Sequence, residues 1–243
     1  MGIEANDNVY MKNIKPANKL SIKPRVTGII DSEASLRAAL RLGPEDLDLF
    51  EIRVDAFAGR QDRILEKLPG LKLPLIITVR HPLEGGLNPL SIRERRACFE
   101  MFLTHAKLID VELRSTTALA GIIARAREEK VVVVLSYHDF AGTPSRARLD
   151  ALARKAAKAG ADIFKVATVA STPADVASLL SLMRPRRKLP LSIMGMGPFG
   201  KVSRLVFAQA GSVLNYGFLH KAQVSGQWPA VLLKKRIEEL LPD

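Results

Sequence analysis

The strongest constraint on this chain is a repeated alternation. Short β-rich runs give way to helix-like segments, and the pattern recurs eight times along 243 residues. The strand candidates are RVTGII (25–30), LDLFEIRV (47–54), PLIITVR (74–80), KLIDVEL (107–113), VVVVLSYH (131–138), DIFKVAT (162–168), PLSIMG (190–195) and SVLNYG (212–217). Several intervening segments carry helix starts: Asp31-Ser32 before EASLRAALRL, Ser91 with Glu94 three residues later, and Thr172-Pro173 before ADVASLL. Gly43 and Gly160 stand where helices are expected to end. Eight βα units in this length predict one closed α/β barrel, a (β/α)8 barrel of the TIM type. The alternative is a doubly wound flavodoxin-like or Rossmann sheet. It lacks its fingerprint here, because no G-x-G-x-x-G follows the first strand.

No Gly/Ser linker, charge block or low-complexity tract divides the chain, so one domain is expected over 21–243, preceded by an extension or hairpin over 1–20. A hydrophobic fraction of 47% suffices for its core. The single cysteine, Cys98, excludes a disulfide framework and a zinc site of paired cysteines, which favours a reducing compartment. No apolar run reaches the roughly 20 residues of a membrane span. The polar start MGIEANDNVYMKN lacks a signal-peptide core, so the expected location is the cytoplasm.

The net charge of +12 allows either nucleic-acid binding or attraction of a small anion. Its distribution favours the anion. The basic residues (Arg93, Arg95, Arg96; Arg125, Arg127, Lys130; Lys158; Lys234, Lys235, Arg236) fall on helix-like segments and read as solvated faces, without the interleaved aromatics of a single-strand platform. Arg184, Arg186, Arg187 and Lys188 form a Pro-flanked cluster that reads as a solvated loop.

In a closed barrel alternate strand residues point inward, and chemistry gathers at the strands' C-terminal ends. In EIRVD, Glu51, Arg53 and Asp55 share one face, and a charged inward face must be paired or functional. After the third strand, Arg80 precedes HPLEGG, where Gly85-Gly86 would let the backbone hold Glu84 over the mouth; Arg80 and Glu84 could instead pair with each other. Asp110 and Glu112 are same-face carboxylates suited to partner the barrel arginines. SYHDF ends the fifth strand and places His138 at the mouth, where an imidazole suits proton transfer near neutrality; His81, His105 and His220 read as structural or exposed.

Lys165, inside FKVAT, is the most informative residue. The plain reading is a buried ion pair with Glu51 or Glu112; the functional one is an amine kept nucleophilic towards a carbonyl, with His138 one strand away. MGMGPFGKVSR offers glycines that could bring N–H groups to an anion, with Arg204 in or near the next helix; Met194 and Met196 read as gap fillers. QVSGQWP offers Gln223, Ser225 and Gln227 as neutral donors, and Trp228 as an anchor for the last helix.

The ordered string EIRVD, TVRHPLEGG, SYHDF, ADIFKVAT, MGMGPFGKVSR, GSVLNYG and GQ, from about residue 20 to 230, resembles the type I 3-dehydroquinate dehydratases. The resemblance implies a (β/α)8 barrel without metal or organic cofactor, commonly dimeric, often with an N-terminal hairpin closing the barrel bottom, here within Val9 to Arg25. It also implies that Lys165 forms a Schiff base with the ketone of 3-dehydroquinate. His138 would move the protons and Glu84 would orient it; Arg204 would clamp the substrate carboxylate. Glu51, Arg53 and Arg80 would read the ring hydroxyls and set the local charge, and Gln227 would close the site. The family usually places a serine where this chain has Gln223, and a proline where it has Ser225. Two readings compete: a class I aldolase with a phosphate site in the 195–200 loop, and a non-catalytic barrel holding a small carboxylate or an acidic partner.

Overall fold

The computed structural model describes residues 23–183 and 188–241. Most of the expected N-terminal hairpin, and Arg184, Arg186 and Arg187 of the basic cluster, lie outside these residues. Eight parallel strands follow one another around a barrel: β1 (Arg25–Ile30), β2 (Leu49–Arg53), β3 (Leu75–Thr78), β4 (Leu108–Glu112), β5 (Val132–Asp139), β6 (Ile163–Val169), β7 (Leu191–Met196) and β8 (Leu214–Phe218). Each falls within its sequence-derived segment or one residue beyond it. The hydrogen-bonded ladder runs β7-β6-β5-β4-β3-β2-β1-β8, so the first strand is flanked by the second and the last.

The remaining seam, between β7 and β8, closes by other means. Val213 N–H donates to the Leu191 carbonyl (2.9 Å), Ile193 N–H donates to Ser212 Oγ (3.0 Å), and Ser192 Oγ donates to the Leu214 carbonyl (2.6 Å). Serine hydroxyls thus replace part of a backbone ladder and keep the seam's polar groups satisfied.

Helices α1 (Glu33–Ala39), α2 (Gln61–Leu65), α3 (Ile92–Phe102), α4 (Ala120–Glu128), α5 (Arg146–Lys158), α6 (Pro173–Leu180), α7 (Gly200–Gln209) and α8 (Ala230–Leu240) cover the outside. The expected starts are present as capping boxes: Ser32 with Ser35, Ser91 with Glu94, and Thr172 with Asp175 behind Pro173. Gly160, at φ +77°, ends α5 in the left-handed conformation that glycine adopts without strain. Gly43 does not end a helix: α1 stops at Ala39, and Gly43 opens a turn in which its N–H donates to Asp46 Oδ2.

The outward-facing strand residues and the inner faces of the helices form the main core, which includes Phe50, Phe99, Phe102, Phe164 and Phe207. A second, smaller core fills the barrel itself with Leu49, Ile76, Leu108, Val134, Ile163 and Leu214. Two helical cations read as solvated are buried instead. Arg95 is 1% exposed and donates to the Val79 carbonyl and to Glu112; Lys234 is 9% exposed and reaches the Pro44 carbonyl and Asp48. Both lie on the inner side of their helices, where charge is tolerated because it is paired.

Candidate active site

Two residues beyond the apolar layer, on the same face of each strand, the barrel interior becomes charged. Glu51 and Arg53 come from β2, Asp110 and Glu112 from β4, Ser136 and His138 from β5, and Lys165 from β6, while Arg80 follows β3. The register places Ser136 beside Lys165 and His138 beside Ala167, so the imidazole stands one pleat nearer the mouth than the amine on the neighbouring strand. Glu84 comes from a single 3₁₀ turn (Pro82–Glu84), ended by Gly85 at φ +87°. Arg204 enters from α7, and Gln223 and Gln227 from the β8–α8 loop. All nine of Glu51, Arg53, Arg80, Glu84, His138, Lys165, Arg204, Gln223 and Gln227 line one cavity of about 300 Å³.

At the cavity floor the charges interlock. Arg80 forks onto Asp110 (2.8 and 2.9 Å), reaches Glu112 (3.1 Å) and donates to Ser136 Oγ (2.7 Å); Arg95 takes the other Glu112 oxygen (2.5 Å). The carboxylates of β4 are therefore partners of the barrel arginines, as their spacing suggested. Lys165 Nζ lies 2.8 Å from Asp110 Oδ2 and 3.5 Å from Glu51 Oε1. The lysine is thus ion-paired with Glu51 and Asp110; Glu112 is occupied by the two arginines. Burial alone would raise the Asp110 carboxyl, but Arg80 and Lys165 outweigh it and hold Asp110 well below the usual range.

At the rim, Glu84 Oε2 is 3.0 Å from His138 Nδ1 and accepts the His138 backbone N–H at 3.0 Å. Burial and the nearby Glu112 charge push the Glu84 carboxyl up to about 7. Burial, with Arg80 and Lys165, holds the His138 imidazole well below its ordinary value, so it is neutral at physiological pH. A neutral imidazole oriented through Nδ1 leaves Nε2 as a base. Glu84 does not pair with Arg80, whose guanidinium is engaged by the floor carboxylates.

Arg204 is 2% exposed, its Nη1 donates to the Tyr216 carbonyl (2.8 Å), and its Nε has no partner among the described residues. Burial lowers this guanidinium only to about 10, so it stays cationic. Among the described residues no carboxylate pairs with it. A buried cation without a neutralising partner is costly to the fold.

The mouth is crossed by a short relay. Gln223 Nε2 donates to Asp31 Oδ2 at the end of β1, Gln223 Oε1 accepts from Arg53 Nη1 (3.3 Å), and Gln223 N–H donates to Gln227 Oε1 (2.8 Å). Asp55 belongs to the network without extending β2. A 3₁₀ turn (Val54–Phe57) begins before it, and its carboxylate binds the Arg53 guanidinium (2.8 Å) and the N–H groups of Arg80 and Leu87.

Two results depart from expectation, and a third residue was not anticipated. The glycines of the 195–200 loop offer no anion cradle, because the N–H groups of Gly197, Phe199 and Gly200 donate to the Ser225, Ala170 and Gly197 carbonyls. Gly200 is needed for a different reason: a Cβ there would lie 2.6 Å from Gly226 Cα, so these loops pack backbone against backbone. Met194 and Met196, read as gap fillers, line the cavity. Tyr216, which the sequence did not single out, lies under Lys165 with its ring centroid 3.9 Å from Nζ.

Fold and site together define a class: a (β/α)8 enzyme with a strand-borne lysine and a neutral imidazole at the C-terminal mouth of the barrel. The family model for type I 3-dehydroquinase matches residues 28–240, and the chain belongs to that family. It is similar to the 3-dehydroquinate dehydratase of Geobacillus kaustophilus, 33% identical over 82% of this chain and 82% of the relative. It also resembles that of Methanocella arvoryzae, 30% identical over 86% of this chain and 93% of the relative. Among solved structures, the Geobacillus kaustophilus enzyme superposes with a TM-score of 0.80 at 29% identity, covering 93% of this chain and 97% of that one. A type I enzyme from Clostridium difficile, solved with covalently modified comenic acid, gives 0.81 at 25% identity over 92% and 98%.

Proposed function

We propose that this chain converts 3-dehydroquinate to 3-dehydroshikimate and water in the shikimate pathway, through a Schiff base on Lys165. The observation that carries the reading is a buried strand lysine, with an oriented neutral imidazole on the next strand and a buried Arg204 lacking a carboxylate partner among the described residues.

Lys165 adds to the ring ketone and water leaves, giving an iminium that withdraws electrons from the adjacent carbon. His138 takes the proton from that carbon, and the resulting enamine expels the neighbouring hydroxyl. His138 returns its proton to the departing oxygen, so the second product is water. Hydrolysis of the conjugated imine then frees Lys165. Glu84 holds the imidazole through Nδ1, Arg204 clamps the substrate carboxylate, and Glu51 and Arg53 read the ring hydroxyls. Arg80, engaged by carboxylates, sets the charge of the floor. Gln227 closes the site with Gln223 beside it. The reading includes a homodimer in the cytoplasm, with residues 21–243 as the catalytic domain and 1–20 as an extension or hairpin. Among the described residues no helix is long and apolar enough to cross a membrane.

The test is to incubate the protein with 3-dehydroquinate, reduce with borohydride, and weigh the chain and its peptides. The expected result is an adduct on the peptide bearing Lys165, with the absorbance of a conjugated product when the reductant is omitted. Neither adduct nor product would reject this substrate.

A further inference from the structure

The Lys165 amine has three neighbours: Asp110 at 2.8 Å, Glu51 at 3.5 Å and the Tyr216 ring at 3.9 Å. They respond differently to imine formation. An ammonium carries three N–H donors, but the iminium made from it keeps one. That single donor cannot serve Asp110 and Glu51 together as the ammonium can. The ring asks for no donor, because an aromatic face attracts a cation through its quadrupole whether or not hydrogens point at it.

We propose that Tyr216 is a catalytic residue, its ring face stabilising the positive charge on the Lys165 nitrogen once the imine has formed. This deepens the Schiff-base reading and rests on it. Several observations support the assignment. Tyr216 is 2% exposed, so the contact is shielded from water, where a cation–π interaction is strongest. The ring is held by β8, whose Tyr216 stands in register with Thr27 of β1, and the same residue's carbonyl anchors Arg204. One residue therefore fixes both the cation-binding face and the carboxylate clamp. Burial and the charges of Glu51 and Asp110 keep the phenol protonated well above its ordinary range, so its face opposes the amine as a neutral ring. Its hydroxyl has no hydrogen-bond partner among the described residues. The contact to Lys165 thus needs the ring and not the hydroxyl.

This separation supplies the test. Tyr216→Phe, Tyr216→Leu and a ring-fluorinated phenylalanine at position 216, introduced by nonsense suppression, are compared by borohydride trapping at subsaturating 3-dehydroquinate and by kcat. Fluorination withdraws charge from the ring face while nearly preserving its shape, so a merely structural role would not register it. Tyr216→Phe should stay within about twofold of the parent, and Tyr216→Leu should lower trapping roughly five- to thirtyfold, the range of a desolvated cation–π contact. The fluorinated ring should fall between the two. Equal trapping with fluorinated and plain phenylalanine would overturn the proposal even if Tyr216→Leu were inactive or poorly folded. No adduct on Lys165 in the parent protein would overturn the Schiff-base reading, and this inference with it.

Discussion

Inside the barrel, two layers built by the same strands hold opposite chemistry. The lower layer is Leu49, Ile76, Leu108, Val134, Ile163 and Leu214; two residues along each strand stand Glu51, Thr78, Asp110, Ser136, Lys165 and Tyr216. All twelve are buried. The pleat and the covering helices treat both layers alike, so burial by itself does not explain the difference. In the lower layer each large apolar side chain stabilises the fold by about 1.5–3 kcal/mol through removal from water. In the upper layer desolvation of the charges largely offsets their attraction, and apolar replacements of such networks are often as stable. Folding explains the lower layer; the upper layer is what the proposed reaction would require.

That contrast can be broken experimentally. The largest effect expected is from Lys165→Ala, which should reduce turnover to background and eliminate borohydride trapping while product still binds in calorimetry; residual turnover would sink the mechanism. His138→Ala should lower kcat by about 10²–10⁴-fold, the range of a lost general acid–base. Denaturant unfolding of this variant should match the parent, and a large loss of stability would place the imidazole with the structural residues. Ile163→Ala, one pleat below Lys165, should do the reverse. It should cost about 2–5 kcal/mol of stability and leave the kcat of the folded fraction nearly unchanged.

Glu84 gives a pH test that separates the two kinds of effect. Its carboxyl is raised from 4.5 to about 7, so its contribution to stability is complete below about 4.5 and is lost as pH rises through about 7. Catalysis runs the other way. Only ionised Glu84 accepts the Nδ1–H of His138 and leaves Nε2 as a base, so kcat/KM should rise through about pH 7. Glu84→Gln should remove that limb of the profile and flatten the stability slope over the same interval. The smallest effect is expected from Asp31→Ala. Losing the hydrogen bonds from Gln223 and Ser35, each worth about 0.5–1.5 kcal/mol, should raise KM severalfold with kcat preserved, and Asp31→Asn should restore it.

The strands and three capped helix starts were legible because both follow from local spacing. The positions were legible for different reasons: His138 is a polar group at a strand end, Lys165 a charge inside an apolar strand, and Glu84 a carboxylate beside the Gly85-Gly86 turn. Asp55 was placed on β2 because alternation does not reveal that the chain turns at Val54. Asp110 was not anticipated as a partner of Lys165 because one carboxylate serves Arg80 and Lys165 together, and Arg95 could not be anticipated while helical arginines counted as solvated. Tyr216 escaped for the opposite reason: a strand tyrosine looks ordinary, and only the closed barrel brings it under an amine far away in sequence.

The closure of the ladder onto β1 also constrains how the molecule is made. The Arg25 carbonyl on β1 accepts from the Asn215 side chain, a partner 190 residues later in the chain. On a ribosome, the first strand therefore waits with one edge unpaired until nearly all the rest has been synthesised, and such distant pairing slows folding. Lys165 and His138 emerge before the ring and the guanidinium that complete their cavity. A nascent chain stopped before β8 would carry the Lys165 amine without the closed barrel that surrounds it.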